Sequence, residues 1–246
     1  MLFDLFGALA SPTAAREGKQ VKQVNHRHRI GYNRRVPRLL VLLLLLGSPG
    51  FAAPHWERLE TRGGISVYRR VVPGSRVLSF KGECEIEAPI AKVISALSDV
   101  TRKREWVFSL SEARLVREPS VLERVEYNRS SAPWPIHDRA FVFRALVRPD
   151  RAARRLWIGL ESVEDPAAPA EPGVVRGRIE KGEFIVEALG ERRTKVSLEL
   201  HADPAGAVPK WLVNIFQKRW PLETLAGLRR QAAKADISAH PALADF

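Results

Sequence analysis

Two stretches decide how this chain is read: Pro133-Trp134-Pro135-Ile136-His137-Asp138-Arg139, and Val208-Pro209-Lys210-Trp211-Leu212-Val213-Asn214, roughly seventy residues further on. The first closes one strand-like run and opens another. Proline on each side of Trp134 holds the chain extended and removes ladder donors, so Trp134 is expected to pack at the rim of a sheet. The second opens a helix predicted over 208–234. Leu212, Ile215, Phe216, Leu222, Leu225, Ala226 and Ala232 fall near one stripe of a 3.6-residue period. Pro221 lies inside that stripe and is expected to kink the helix, because it lacks a donor and crowds the preceding turn.

Upstream, His55-Trp56-Glu57-Arg58-Leu59-Glu60 reads as a short opening helix before the Gly63-Gly64 turn. Strands are predicted over 65–71 and 76–87, joined by Pro73-Gly74. In the second, Phe80, Cys84 and Ile86 alternate with Lys81, Glu83 and Glu85, which gives one dry and one wet face. Pro89 opens a helix whose apolar residues, from Ile90 to Leu97, sit at helical spacing, and a second short helix covers 98–107. Further strands are predicted over 112–117, 121–130, 140–148, 154–163, 174–188 and 194–202. The stretch from Pro166 to Pro172 is a loop, since its three prolines preclude a ladder.

The first fifty-odd residues have a different character. Arg34, Arg35 and Arg38 precede an unbroken apolar run from Leu39 to Leu46, and Gly47-Ser48-Pro49-Gly50-Phe51-Ala52-Ala53 follows. A basic flank, an apolar segment and a small-residue exit are the three parts of a secretory signal peptide. Eight helical residues reach only ~12 Å, far short of the ~30 Å hydrocarbon core. The expectation is therefore an export signal around residues 34–53, cleaved near Ala52 or Ala53, and a periplasmic or secreted protein. A retained shallow anchor is the alternative. The long segment before Arg34 is unusual for such a leader and fits a start site assigned upstream of the true one. Arg34-Arg35 is also compatible with a twin-arginine signal. The organisation read from the sequence is an N-terminal extension and leader (1–53), one domain (54–235) and a tail (236–246).

Residues 1–52 carry eight basic and two acidic residues, so they supply +6 of the formal +12, and the remainder keeps +6. That surplus is spread over the chain, favours an anionic membrane surface, and comes with no recognition helix or motif for nucleic acid. Cys84 is the only cysteine, which excludes an internal disulfide and points to a buried, inert thiol. His55, His137, His201 and His240 are too scattered for a metal site, and no phosphate loop, nucleophile elbow or dinucleotide fingerprint is present. No catalytic, metal or cofactor residues are expected.

The order of Trp56, Gly64, Val67-Tyr68, Pro89, Trp106, Pro133-Trp134-Pro135, Asp138-Arg139, Pro209-Trp211-Leu212-Asn214, Pro221 and Leu228-Arg229 resembles the START domain family (steroidogenic acute regulatory protein-related lipid transfer). The resemblance implies an α+β helix-grip fold: a curved antiparallel sheet wrapped around a long C-terminal helix, with two short helices after the second strand. It also implies a monomer that encloses a lipid or other hydrophobic small molecule and touches membranes transiently, with the C-terminal helix as the door. The lining residues expected on that basis are Phe141, Phe143, Leu156, Ile158, Phe184, Leu198, Leu212, Ile215 and Phe216. Periodicity alone fits a filled core equally well. Asp138 and Arg139 face opposite ways and suit either structural ion pairs or head-group contacts. A structural envelope module and a helix-grip enzyme, such as a polyketide cyclase, are the competing functions. The enzyme needs titratable groups converging in a cavity, whereas the inward positions read as apolar.

Overall fold

The computed structural model describes residues 55–239. The predicted leader lies outside the described residues. Ten strands form one sheet: β1 (Glu57–Arg62), β2 (Ile65–Arg70), β3 (Ser79–Ile86), β4 (Leu110–Ser120), β5 (Glu123–Ser130), β6 (Asp138–Asp150), β7 (Arg155–Ser162), β8 (Val174–Arg176), β9 (Arg178–Ala188) and β10 (Thr194–Asp203). The helices are α1 (Ile90–Ser98), a 3-10 helix at Val100–Glu105, and α2 (Lys210–Ala233). The strand order is β1-β2-β3-β10-β9-β7-β6-β5-β4, antiparallel throughout that path, while β8 pairs in parallel with β6.

The chain therefore crosses from β3 to the far edge through α1 and the 3-10 helix, then returns strand by strand until β10 closes against β3. The sheet curves around α2, the helix-grip arrangement expected from the sequence. Its inner face, α1 and the second half of α2 share one core that includes Val67, Ile86, Val93, Val196, Leu198, Leu225 and Leu228. Gly82 lets the helix close on the sheet: a Cβ there would lie 2.7 Å from Leu225 Cδ1 and 2.9 Å from Pro221 Cβ.

Several expectations change. The opening segment is the edge strand β1, paired with β2 in the register Glu57↔Arg69 to Arg62↔Ile65, and not a helix. The pairing partner Ile65–Arg70 decides this, which no local period reveals. The two short helices consequently follow the third strand, and the second is a 3-10 helix. The run over 174–188 breaks at Gly177 into β8 and β9. The packed region also passes residue 235, since Ile237 is buried in the main core and Asp236 pairs with Arg102 at 2.9 Å.

A second, smaller cluster sits on the outer face and comprises Val125, Tyr127, Ala140, Val142 and Ala168. It is covered by the proline-rich loop, held down by Arg117–Asp165 (2.5 Å) and by Arg176 Nη2, which donates to the carbonyls of Ala168 and Pro169, each at 2.8 Å. Tyr127 lies between Arg114 and Arg176, whose guanidinium carbons are 4.5 and 5.8 Å from its ring centre. Burial, with the Glu171 carboxylate beside it, pushes the Tyr127 phenol up to about 12.

Candidate functional site

Two adjoining chambers lie between the sheet and α2. The inner one, about 100 Å³, is lined by Phe143, Ile158, Leu160, Phe184 and Trp106 among others. The outer one, about 140 Å³, is lined by Ile136, Val208, Leu212 and Phe216 among others. Ser130, Phe141, Leu200, Ala202 and Trp220 belong to both walls, so Phe141 and Trp220 stand where the chambers meet.

The predicted lining residues divide into three groups. Phe143, Ile158 and Phe184 line the inner chamber, Leu212 and Phe216 the outer, and Phe141 both. Leu156 and Leu198 are buried in the main core and line neither chamber. Ile215 lines neither: it is 51% exposed, because α2 turns it away from the sheet.

The two halves of α2 differ in how they are held. Pro221, Leu222, Thr224, Leu225, Leu228, Gln231 and Ala232 are buried, whereas in the first half Val213 is buried, Leu212, Phe216 and Trp220 are half-buried and Trp211 is 65% exposed. The N-terminal half is fastened by Gln217 Nε2, which donates to the Ala202 carbonyl at 2.6 Å, and by the Phe108–Phe216 ring contact at 5.6 Å. Trp134 is 92% exposed on the loop whose Pro133 and Ile136 form the opposite wall of the outer chamber.

Asp138 and Arg139 take separate partners, as their opposite orientation requires. Asp138 pairs with Arg129 at 2.9 Å and accepts from the Ala132 amide at 3.2 Å. Arg139 lines the outer chamber and makes no ion pair among the described residues. It donates to the carbonyls of His137, Pro204 (3.3 Å) and Ala205 (3.4 Å), fixing the turn that leads into α2.

The inward face is not wholly apolar. Arg124, Glu126, Asn128 and Ser130, alternate residues of β5, all line the inner chamber, and Lys103 reaches it from the 3-10 helix. Glu126 is fully buried. One of its oxygens accepts from Lys103 Nζ and the other lies 2.5 Å from Arg124 Nε. Arg124 also donates to the Ser98 carbonyl at 3.0 Å, at the end of α1. Burial alone would raise the Glu126 carboxyl, but Lys103 and Arg124 together hold it below the usual range. Burial, reinforced by Arg124, draws the Lys103 ammonium below the usual lysine range against the pull of Glu126. Sequence reasoning missed this polar wall. The signal was the alternation Arg124-Val125-Glu126-Tyr127-Asn128, which gives one polar and one apolar face but does not say which faces inward.

The START domain family model matches residues 45–231. The chain belongs to the START domain family. An uncharacterized protein of Pseudomonas aeruginosa is 29% identical over 203 residues, which cover 82% of this chain and 99% of that one. The phosphatidylcholine transfer protein of Mus musculus is 26% identical over 173 residues, 69% of this START domain protein and 79% of the mouse chain. A crystallised fragment of the STAR-related lipid transfer protein of Xanthomonas axonopodis superposes with a TM-score of 0.66 at 29% identity, covering 73% and 99% of the two chains. Human STARD10 shares the fold, with a TM-score of 0.67 at 21% identity over 73% of this chain and 74% of its own.

Proposed function

We propose that this START domain is a non-catalytic lipid-binding or lipid-transfer protein that encloses one hydrophobic ligand, with the N-terminal half of α2 as its gate. The observation that carries the reading is the pair of joined, mainly apolar chambers covered by that loosely packed half-helix. Burying an acyl chain there would supply affinity at ~25 cal/mol per Å² removed from water. Each chamber is smaller than the ~300 Å³ at which small-molecule pockets begin, so a lipid enters only if the walls part. The names of the mouse and Xanthomonas relatives point the same way.

The charged residues of the inner wall suit binding better than turnover. Lys103, Arg124 and Glu126 are occupied with one another, and Glu126 is held ionised, away from the near-neutral pKa that a general acid at pH 7 requires. Trp134 and Trp211, exposed on either side of the outer chamber, are the contacts we assign to a transient membrane encounter by the monomer. The basic, apolar and small-residue order of residues 34–53 supports export to the periplasm or the exterior.

Native mass spectrometry of full-length protein incubated with extracted lipids tests the central claim. One chemically unchanged lipid per chain is expected. A modified product would make the protein an enzyme, and an empty protein would make it a structural module. Intact-mass measurement on an envelope fraction tests export, with an N-terminus at Ala53 or Pro54 expected and retention of Leu39 to Leu46 counting against it.

A further inference from the structure

The two chambers have walls of unequal stiffness. The outer one is covered by Leu212 and Phe216, half-buried residues of the proposed gate. The inner one is walled by Trp106, Phe143, Ala145 and Ile158, all buried members of the main core. Trp106 is also locked from behind. Gly227, in the buried half of α2, lies so close that a Cβ there would stand 2.1 Å from the Trp106 carbonyl oxygen. An interior packed this closely does not stretch smoothly around a wider guest.

The neck between the chambers is fixed as well. Phe141 reaches it from β6 and Trp220 from α2, and Ser130, Leu200 and Ala202 complete the ring of residues common to both walls. The Phe141 ring is seated on Gly177, where a Cβ would lie 2.4 Å from its Cε1. Trp220 immediately precedes Pro221, whose Cβ would lie 2.9 Å from a Cβ placed on Gly82 of β3. A half-helix that swings about Pro221 displaces Leu212 most and Trp220 least, because displacement grows with distance from the hinge. Gate opening therefore widens the outer chamber and leaves the neck narrow.

The chambers, about 100 and 140 Å³, together stay below the ~300 Å³ at which small-molecule pockets begin. A slender guest demands the least movement of the stiff walls. We infer that the neck between Phe141 and Trp220 selects single-chain lipids over diacyl lipids and sterols. One unbranched acyl chain threads both chambers end to end, while a second chain or a fused ring system is stopped at the neck. This selectivity rests on the lipid-binding reading above and departs from the name of the mouse relative, since phosphatidylcholine carries two acyl chains.

The test is a competition. Delipidated full-length protein is incubated with vesicles containing diacyl phosphatidylcholine, lysophosphatidylcholine and cholesterol, then reisolated, and its bound lipid is quantified by native mass spectrometry. The first two lipids share the phosphocholine head and differ in chain number, so head-group chemistry cancels from their ratio. Relative to vesicle composition, lysophosphatidylcholine should be enriched over each of the others by about tenfold or more, at one molecule per chain. Phe141→Ala and Trp220→Ala each widen the neck, and each should lower that enrichment severalfold by admitting the diacyl lipid. Phe141→Leu, a smaller change, serves where Phe141→Ala does not fold. The greater solubility of a single-chain lipid is the same for every variant and would not move the ratio between them. Diacyl phosphatidylcholine or cholesterol bound equally or better by the wild type overturns the neck as a selector, as does an enrichment unmoved by the variants. Two lysophosphatidylcholine molecules per chain would show room for two chains and overturn it too. A protein that retains none of the three lipids overturns the lipid-binding reading and this selectivity with it.

Discussion

Gly177 gives the Phe141 ring its berth: a Cβ at position 177 would lie 2.4 Å from Phe141 Cε1 and 2.7 Å from Cζ. The Gly177 amide is fixed at the same time by donating to the Ala140 carbonyl at 2.9 Å, so the backbone has little room to retreat. Because Phe141 stands where the two chambers meet, Gly177→Ala should drive the ring toward that junction. A loss of about 1–3 kcal/mol of stability is expected from overpacking, together with slower lipid uptake. Adding Phe141→Leu should restore uptake. Measured by denaturant unfolding and lipid loading, effects that merely add in the double variant would refute the coupling.

The contrast in burial along α2 predicts uneven protection. Amides of 212–219 should exchange with deuterium faster than those of 222–232, and ligand should slow the first group more than the second. Uniform protection across Pro221 would rule out a gate confined to the N-terminal half. Cross-linking is the functional counterpart. Ala132→Cys and Leu212→Cys, on opposite walls of the outer chamber, can be joined by a short bis-maleimide. Cys84 should not compete, because burial pushes its thiol pKa up and shields it. Transfer of a fluorescent lipid between vesicles should fall severalfold in the linked form, and equal rates would exclude this entry route.

Tyr127 predicts an alkaline limit to stability. Its folded-state pKa, about 12, lies above the ordinary value of 10, so folding favours the neutral phenol. The stability this contributes is complete below pH 10 and is lost as pH rises toward 12. Unfolding free energies measured from pH 9 to 12 should decline through this window in the wild type and decline less in Tyr127→Phe. Identical profiles would remove Tyr127 as the cause.

Trp134 and Trp211 should matter at membranes and not for folding. Both are largely exposed, so Trp134→Ala and Trp211→Ala should change stability by no more than about 0.5 kcal/mol. Each should weaken sedimentation with vesicles severalfold, and the pair more. Unchanged vesicle binding in the double variant would exclude this rim as the contact.

Much of this architecture is written in local pattern. The strict alternation around Phe80, Cys84 and Ile86 and the apolar spacing of Ile90 to Leu97 each follow from the period of one element, and the structure places those residues in the core. Trp134, expected to pack at the rim, is instead 92% exposed, because the flanking prolines set its backbone and not what meets its side chain. Three features were decided only by tertiary contact. The segment Glu57–Arg62 is a strand because Ile65–Arg70 pairs with it, and an edge strand with little burial carries no clear period of its own. Ile215 sits near the apolar stripe of α2 yet faces solvent, because the N-terminal half of the helix covers a chamber instead of a packed core. The polar wall of β5 depends on which of two alternating faces turns inward. Val125 and Tyr127 could face outward because the loop carrying Ala168 folds back to cover them. Arg124 and Glu126 could then turn inward because Lys103, from an element 23 residues away in the chain, completes their charge network. A one-dimensional pattern fixes which residues share a face, but only the packing of distant segments decides what that face meets.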